Sequence, residues 1–442
     1  MKNSYLKKMT YAICLALFVA ISAFGFSAFA ASVKITIDNP YENVNWTSYG
    51  QYKANLHAHS TNSDGANLTE EMVEDFYAKG LDILAMTDHD YLTDTWDRVN
   101  KGPMSTDRLA EIEAGIGRSG RGILNINNTN EQSVTDHINT FWAPFNNVPG
   151  DTMETILAKC ESLGGISHIN HMGRYTGGAN SSDDVSRAAS NNPVNIKKYV
   201  DLLMAYPSCV GMEIINKIDN ESKSDRILWD NVLMEILPQR NCWGFSNDDS
   251  HSLDASGYSW NVMLMPDLTQ ANTRIAMEKG AFYAVSRVSR LDGINRFLSS
   301  SGGETPGNGT AATLYMLEQP TPRITNIDVN DAKNTITITG ANYTRIEWIA
   351  DGQVIATGNT LNINDNQDKI GSYVRAQLKS STGIAFSQPF VVSIENEDDD
   401  KNCKEKLIEK IEDLAGCSAG FGYLLLVMLV IPFVFKKNSV NS

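Results

Sequence analysis

The sequence predicts a mixed α/β fold that is followed by a smaller all-β region. From residue 51 to about residue 300, short apolar runs alternate with segments of helical spacing. After residue 321 the chain is rich in Thr, Val, Ile and Asn and shows the two-residue alternation that is typical of strands. Strands that alternate with helices imply a mainly parallel sheet, open or barrel-shaped.

The elements follow one another in strand–helix order. A strand at Tyr52–His57 precedes a helix at Leu68–Lys79, with Thr69 as its N-cap and Gly80 as its C-cap, and a buried strand at Leu81–Thr87 comes next. The further predicted elements are a helix at Met153–Leu163, strands at Ile166–Asn170 and Gly211–Asn216, a helix at Ile227–Leu237, a strand at Cys242–Ser246 and a helix at Gln270–Lys279.

The amino-acid composition changes in the C-terminal part of the chain. Residues 299–320 are rich in Ser, Gly and Thr and are predicted to be a linker. Residues 321–394 are predicted to form a small immunoglobulin-like β-sandwich, with a hairpin turn at Asp351-Gly352. This region is either a passive spacer or a module that binds a ligand.

Both ends of the chain have the composition of targeting segments. Residues 1–30 combine a basic start, an apolar stretch and a small-residue cleavage site, which predicts a signal peptide, with an uncleaved anchor as the alternative. A charged stalk at 395–417 precedes an apolar segment at 418–435, predicted to be a transmembrane anchor or a sorting signal, and residues 436–442 are a cytoplasmic tail. We therefore expect an exported protein, held at the cell membrane, whose catalytic domain is extracytoplasmic.

The net charge of the chain excludes one class of partner, and the cysteines indicate positions in the core. The chain has a formal net charge of −15, and removal of the basic leader makes it more acidic. Nucleic acids need a basic surface, so we expect no stable nucleic-acid partner. Cys160, Cys209 and Cys242 lie in apolar runs, which predicts small buried core residues.

The seven histidines all lie between His57 and His251, and most occur in short motifs with carboxylates. In H57-A-H59 the two rings point to the same side of a strand and can reach one ion. Several motifs fall at the C-terminal ends of predicted strands, where α/β barrels assemble their active sites. The candidate ligands are His57, His59, Asp64, His89, Glu131, His137, His171, Asp249 and His251. A catalytic zinc takes about three protein ligands, so this set indicates two or three ions.

The ordered motifs H-x-H, S-D-G, T-D-H, E followed by D-H-I, N-H-x-G-R and D-x-H resemble the PHP (polymerase and histidinol phosphatase) superfamily, in its exported, carbamate-hydrolase-like branch. The resemblance covers residues 40 to 291. It implies that residues 31–298 form a distorted (β/α)7 TIM-like barrel with two or three divalent ions (Zn²⁺, Mn²⁺ or Fe²⁺). The family has a proline where Met172 stands here, a change in the loop more than in the ligand.

The resemblance also implies the assignment of ligands to ions. His57, His59, Glu131 and Asp249 would hold the first ion, Glu131 with His137 and His171 the second, and Asp64 with His89 and His251 the third. Glu113 is the alternative to Glu131, which has the better spacing to His137.

The expected chemistry is hydrolysis by a metal-activated water, most simply of a small phosphorylated substrate. Arg174 either grips a substrate phosphate or carboxylate or is a surface residue, and Asp90 either orients a histidine ligand or carries a proton. The alternatives are a hydrolase of carboxylic or carbamic esters, and an inert surface protein that binds a partner on the same scaffold.

Two other motifs are predicted to lie outside the chemistry. His168 is within a predicted strand and three residues before His171, so it is expected in the core or behind the ligands. The Gly115–Gly120 segment matches a dinucleotide fingerprint but follows a helix-like stretch, which favours a plain loop.

Overall fold

The computed structural model describes residues 33–178, 181–219, 222–294 and 319–396. Residues 36–393 belong to one compact unit, and the described segments 33–35 and 394–396 belong to a second. The predicted signal peptide, the apolar segment at 418–435, the tail at 436–442 and most of the stalk and of the linker lie outside the described residues. Within the described ranges, no helix has the length and apolar character needed to cross a membrane.

The described strands are β1 Val33–Asp38, β2 Gly50–Asn55, β3 Ile83–Leu84, β4 Leu124–Asn125, β5 Asn130–Ser133, β6 His137–Phe141, β7 Ile166–Ile169, β8 Cys209–Ile215, β9 Trp243–Ser246, β10 Ser259–Met265, β11 Phe282–Ser286, β12 Arg323–Asn330, β13 Thr335–Ala341, β14 Arg345–Ala350, β15 Gln353–Thr357, β16 Thr360–Asn362, β17 Tyr373–Ser380, β18 Gly383–Phe386 and β19 Phe390–Asn396. The helices are α1 Thr69–Ala78, α2 Thr106–Glu113, α3 Met153–Ser162, α4 Gly173–Thr176, α5 Asp183–Ser190, α6 Pro193–Ala205, α7 Asp225–Ile236 and α8 Gln270–Lys279.

The mixed α/β class is confirmed, and the predicted elements of the first three hundred residues are found within a few residues of their bounds. Helix α8 has the predicted limits. The prediction of Thr69 as an N-cap is wrong, because Leu68 occupies that position and its backbone N–H donates to the Glu71 carboxylate at 2.9 Å. Gly80 follows the helix with φ of 81°, a conformation that glycine adopts at no steric cost.

The prediction of a mainly parallel sheet holds for only part of each sheet: β2, β3 and β4 are parallel neighbours, as are β7, β8 and β9, and the other pairs are antiparallel. One sheet runs β11-β10-β2-β3-β4, in which β10 is antiparallel to both of its neighbours. The other runs β5-β6-β7-β8-β9, and only β7, β8 and β9 are mutually parallel. The alternation of strand and helix does not specify the direction of a strand, so hairpins such as β5–β6 escape it.

The two sheets meet at isolated bridges beside the histidine motifs. Ala58 pairs with Ser250, and His89 pairs with Glu131. Both bridges are parallel, and Ala58, Ser250 and His89 lie just beyond regular strands, whereas Glu131 lies in β5. The closed (β/α)7 barrel stays a prediction, but these bridges bring the motif-bearing ends of the two sheets together.

The core lies between the sheets and the helices. Trp229 and Leu233 of α7 and Leu203 of α6 pack with the apolar face of β8, in one cluster that also contains Cys209 and Cys242. Cys160 is part of the same cluster. All three cysteines are buried free thiols, as predicted.

The C-terminal strands are antiparallel, as predicted, but they do not stand apart from the first sheet. Strand β18 pairs with β11 through Ala284–Phe386 and Ser286–Ile384, so the sheet continues from β11 into β18, β17 and β14. Strands β12, β13 and β16 form a separate three-stranded sheet. The hairpin turn at Asp351-Gly352 is confirmed by φ values of 47° and 70°. The predicted domain bounds and the immunoglobulin type stay predictions.

A buried ion pair joins helix α7 to strand β17. The Arg375 guanidinium donates from Nε and Nη2 to the two carboxylate oxygens of Asp230, each at 2.7 Å. The Tyr373 hydroxyl donates to the same carboxylate, also at 2.7 Å. Both charged side chains are about 95% buried, with relative exposures of 4% and 5%. The Arg375 guanidinium of β17 therefore neutralises a buried carboxylate on α7.

Candidate metal centre

The predicted ligands come together at the strand ends of both sheets. His57 and His59 follow β2, His89 follows β3, Glu131 lies in β5, His137 begins β6, His171 follows β7, and Asp249 and His251 follow β9. Asp64 lies on the loop after His59. The structure thus brings all nine residues into one cluster.

Glu131 is the centre of this cluster. Its Oε2 lies 3.3, 3.2 and 3.0 Å from nitrogen atoms of His57, His59 and His89. Its Oε1 lies 3.0 Å from His137 Nδ1 and 3.2 Å from His171 Nε2. Each oxygen of one buried carboxylate therefore faces its own group of imidazoles.

Asp249 contacts two of these histidines, His57 and His59, and also His251. Its Oδ1 lies 3.3 Å from His57 Nε2, 3.1 Å from His59 Nε2 and 3.5 Å from His251 Nδ1. Its Oδ2 lies 3.4 Å from Lys217 Nζ. Asp249 and Glu131 thus both contact the Nε2 atoms of the H-x-H motif.

Asp64 closes the outer side of the cluster. Its Oδ2 lies 3.3 Å from His251 Nε2 and 3.6 Å from His89 Nε2, and its Oδ1 lies 3.7 Å from His59 Nδ1. Its side chain is 54% exposed, whereas those of His57, His59 and Glu131 are buried. The cluster therefore opens to solvent on the Asp64 side.

The donor atoms fit bound cations. His57 Nε2 and His59 Nε2 are 3.1 Å apart, and two ligands of one tetrahedral zinc would be about 3.3 Å apart. Glu131 Oε2 and Asp249 Oδ1 are buried without a hydrogen-bond donor of good geometry, although imidazole nitrogens surround both. The groups that could hold an ion are His59 with Asp64, His89 and His251; His57 with His59 and Glu131; His57 with His171 and Asp249; and His89 with Glu131 and His137.

The electrostatics keep both central acids ionised. Burial alone would raise the pKa of Glu131, but the His57 and His137 imidazoles hold it well below its usual range. Burial acts in the same direction on the pKa of Asp249, which His57 and Lys217 hold well below its usual range. Burial lowers the pKa of His137 and so favours the neutral imidazole, the form that binds metals.

Backbone strain accompanies these residues. His171 and Asp249 have φ values of 27° and 46°, and Lys217, Ile218 and Asp219 form a run with φ between 44° and 57°. Residues other than glycine pay about 1–3 kcal/mol for such conformations, and they persist mostly at functional sites. The run at 217–219 directs Lys217 toward Asp249 at the cluster.

Glu213 is a member of the site for which the sequence offered no chemistry. Its Oε1 lies 2.9 Å from His57 Nδ1, and its Oε2 accepts the His171 backbone N–H at 3.1 Å. With Nδ1 bound to Glu213, the Nε2 lone pair of His57 faces Glu131 and Asp249. A buried acid in an otherwise apolar strand is the only sequence signal that could have found it.

The remaining candidates lie around the cluster. Asp90 accepts the Ser133 backbone N–H at 2.8 Å, and the Ser133 hydroxyl lies 2.8 Å from His89 Nδ1, so the Asp90 side chain is linked to a predicted ligand through Ser133. Arg174 is exposed on α4, with its guanidinium 5.9 Å from the Tyr175 ring centroid. The binding of a substrate phosphate or carboxylate by Arg174 stays a prediction.

Two sequence alternatives differ clearly in position. Glu113 is exposed at the end of α2 and belongs to none of the ion-holding groups found among the described residues, which leaves Glu131 in the central role. His168 is buried between the rings of Phe141 and Phe245, at centroid distances of 5.3 and 4.7 Å. Burial lowers the pKa of His168 to about 4, so it is a neutral core residue, as predicted.

We expect Glu213→Gln to weaken metal binding by about 10–100-fold, because it removes the carboxylate that orients His57. The dissociation constant can be measured by competition with a chromophoric chelator. Glu235→Gln, at an exposed position of α7, is the matched control. Equal affinities in the two variants would show that Glu213 does not position the ligand.

No protein-family model and no curated protein matches the chain. Solved structures are similar to it in part. A two-domain protein from Bacteroides vulgatus that contains a predicted PHP-like metal-dependent phosphoesterase is 14% identical, with a TM-score of 0.38, over 80% of this chain and 90% of that one. An amidohydrolase from Chromobacterium violaceum is 17% identical, with a TM-score of 0.28, over 45% and 87%. A predicted metal-dependent phosphoesterase from Bifidobacterium adolescentis is 12% identical, with a TM-score of 0.29, over 51% and 96%. At these values membership of the PHP superfamily, and of its carbamate-hydrolase-like branch, stays a prediction.

Proposed function

We propose that the chain is a metal-dependent hydrolase of small phosphoric esters. The observation that carries the proposal is the position of Glu131, a buried carboxylate whose two oxygens face separate groups of imidazoles at 3.0–3.3 Å. A carboxylate in that position can bridge two ions, and sites with two neighbouring ions are typical of enzymes that hydrolyse phosphoesters.

Some residues of the cluster would bind the metal ions, and others orient these ligands. Imidazoles and carboxylates would hold Zn²⁺, Mn²⁺ or Fe²⁺, the borderline metals that such ligands prefer. Bound ions would lower the pKa of a water molecule and polarise the oxygen of the scissile bond. Glu213 orients His57, and Ser133 contacts His89 at the ring nitrogen that also faces Glu131.

Lys217 supports the preference for a phosphoric ester. Its Nζ lies 3.4 Å from Asp249 Oδ2, and its side chain is 28% exposed, so an ammonium that is partly open to solvent lies beside the cluster. A cation in that place favours an anionic substrate over a neutral carboxylic or carbamic ester.

We expect Lys217→Met to raise KM for p-nitrophenyl phosphate about tenfold or more, because a charge-assisted hydrogen bond contributes about 1.5–3 kcal/mol. Metal content should stay that of the wild type. Lys197→Met is the control, since the Lys197 side chain is 74% exposed on α6. An unchanged KM would remove Lys217 from substrate binding, and a loss of metal would assign it to the metal centre instead.

The proposal is tested by elemental analysis of the purified protein together with three substrates. We expect two or three ions per chain, and chelator-sensitive hydrolysis of p-nitrophenyl phosphate or bis-p-nitrophenyl phosphate. Turnover of p-nitrophenyl acetate alone would instead support the carboxylic ester alternative. Folded protein without bound metal and without turnover would contradict the enzyme and favour an inert scaffold.

We further propose, from the composition of the chain ends, that this enzyme is exported and held at the membrane. The two segments concerned, 1–30 and 418–435, lie outside the described residues. Cell fractionation with protease accessibility tests the proposal. We expect the protein in the membrane fraction, and we expect protease added to intact cells to cleave it. Protein confined to the cytoplasm would contradict the proposal.

A further inference from the structure

A cavity of about 480 Å³ on the first sheet is lined by four cationic side chains. Lys53, Arg118, Arg121 and Arg323 surround it, and none of its lining residues is acidic. The chain as a whole has a net charge of −15, so the positive charge of this cavity is opposite in sign to the net charge of the protein. None of the nine clustered metal-ligand candidates lines it.

The positive charge in this cationic cavity is only partly neutralised. The buried carboxylate of Asp82 accepts from Arg118 Nη2 at 2.9 Å and from Arg121 Nε at 2.5 Å, so one acid serves two guanidinium groups. Lys53 Nζ lies 5.0 Å from the centroid of the Trp260 ring, and Arg323 Nε donates to the Gln51 side chain at 2.7 Å. Within the described ranges, neither Lys53 nor Arg323 forms an ion pair with a carboxylate.

Such a group of like charges is unfavourable unless an anion joins it. Burial, and next the charge of Arg287, lower the pKa of Lys53, which reports the same excess of positive charge. A bound dianion would reverse this effect, because an opposite charge close to the ammonium stabilises its charged form.

The cavity has room for more than an isolated anion. Its volume falls within the range of about 300–1,000 Å³ that is typical of small-molecule sites. The buried rings of Trp260 and Tyr283, with two valines, form an apolar part of its wall. Guanidinium groups bind phosphate through paired N–H donors, and ammonium groups bind it as point charges.

We propose that the cationic cavity binds a phosphate group, carried by a small organic molecule, at a site separate from the metal centre. Lys53, Arg121 and Arg323 contact the phosphate, and the organic part lies against the apolar wall. The proposal does not rest on the hydrolase activity.

The test is calorimetric titration of the purified protein with inorganic phosphate and with phenylphosphonate, which contains no hydrolysable ester. The variant K53Q/R323Q is compared with R98Q/K197Q, which removes two positive charges at positions 69% and 74% exposed. We expect the cavity variant to bind phenylphosphonate at least tenfold more weakly than the wild type, and the control to bind it as the wild type does. R323Q alone, at an exposed side chain, should show a smaller loss in the same direction.

The variant E131Q separates this site from the metal centre, because it alters the central ligand and leaves the cavity intact. Binding that survives E131Q and is lost in K53Q/R323Q supports the proposal. Tighter binding of phenylphosphonate than of phosphate would support an organic phosphate as the ligand class, whereas equal binding would overturn the organic part of the proposal and leave free phosphate as the ligand. Equal affinity in the two double variants, or binding that E131Q abolishes, would overturn the proposal.

Discussion

Glu131→Gln is expected to reduce metal-dependent hydrolysis by more than about 100-fold and to lower the number of ions bound. Loss of a partner behind a metal ligand already costs about 10–100-fold, and Glu131 contacts five imidazoles directly. The amide keeps the shape of the side chain but removes the negative charge and one acceptor oxygen. Elemental analysis and kcat/KM for p-nitrophenyl phosphate measure the effect.

Glu113→Gln is the matched control for that prediction. Glu113 was the alternative ligand in the sequence, and it is exposed on α2. The control should retain metal and turnover at the wild-type level. If both variants were equally active and equally metal-loaded, a bridging role for Glu131 would be untenable.

Arg375→Ala is expected to destabilise the protein by about 3–5 kcal/mol, because it leaves the Asp230 carboxylate buried without its cation. Asp230 lies on α7, whose apolar face packs in the main core. The loss should therefore appear as one cooperative unfolding transition at lower denaturant concentration. Chemical denaturation followed by tryptophan fluorescence measures it.

Arg345→Ala serves as its control on the neighbouring strand β14. The Arg345 side chain is 59% exposed and pairs with Glu347 at 2.8 Å. Glu347 also pairs with Lys379, so the change leaves its carboxylate with a cation and should cost about 0–1 kcal/mol. A loss in Arg375→Ala no larger than in this control, or a separate early transition of the C-terminal strands, would contradict their integration with the first sheet.

The metal cluster could be predicted from the sequence because its ligands obey two local rules. Residues two apart on a strand share a face, which brought His57 and His59 together, and strand ends gather at one edge, which brought in His89, His171 and Asp249. The second rule requires parallel neighbours, and the strands that precede these ligands are parallel: β2 with β3, and β7 and β9 with β8. The cluster was therefore predictable although the antiparallel pairings elsewhere in the two sheets were not.

Glu213 and Lys217 show where such rules end. Glu213 lies within β8 and contacts His57 through the fold, at a sequence separation of 156 residues. Lys217 reaches Asp249 only because residues 217–219 adopt left-handed conformations, which no residue type there predicts. Likewise, the β11–β18 pairing joins segments separated by a stretch that reads as a linker.

That last pairing also bears on how the protein avoids self-association. Strand β11 is buried along its whole length, and β18 covers the side of it that β10 leaves open. An uncovered apolar strand offers unpaired backbone groups to any other chain and is a common origin of aggregation. Strand β18, which follows residue 319, thus pairs with the backbone groups of β11 that would otherwise be open. A shortened chain that ended before β18 would be prone to aggregate through β11.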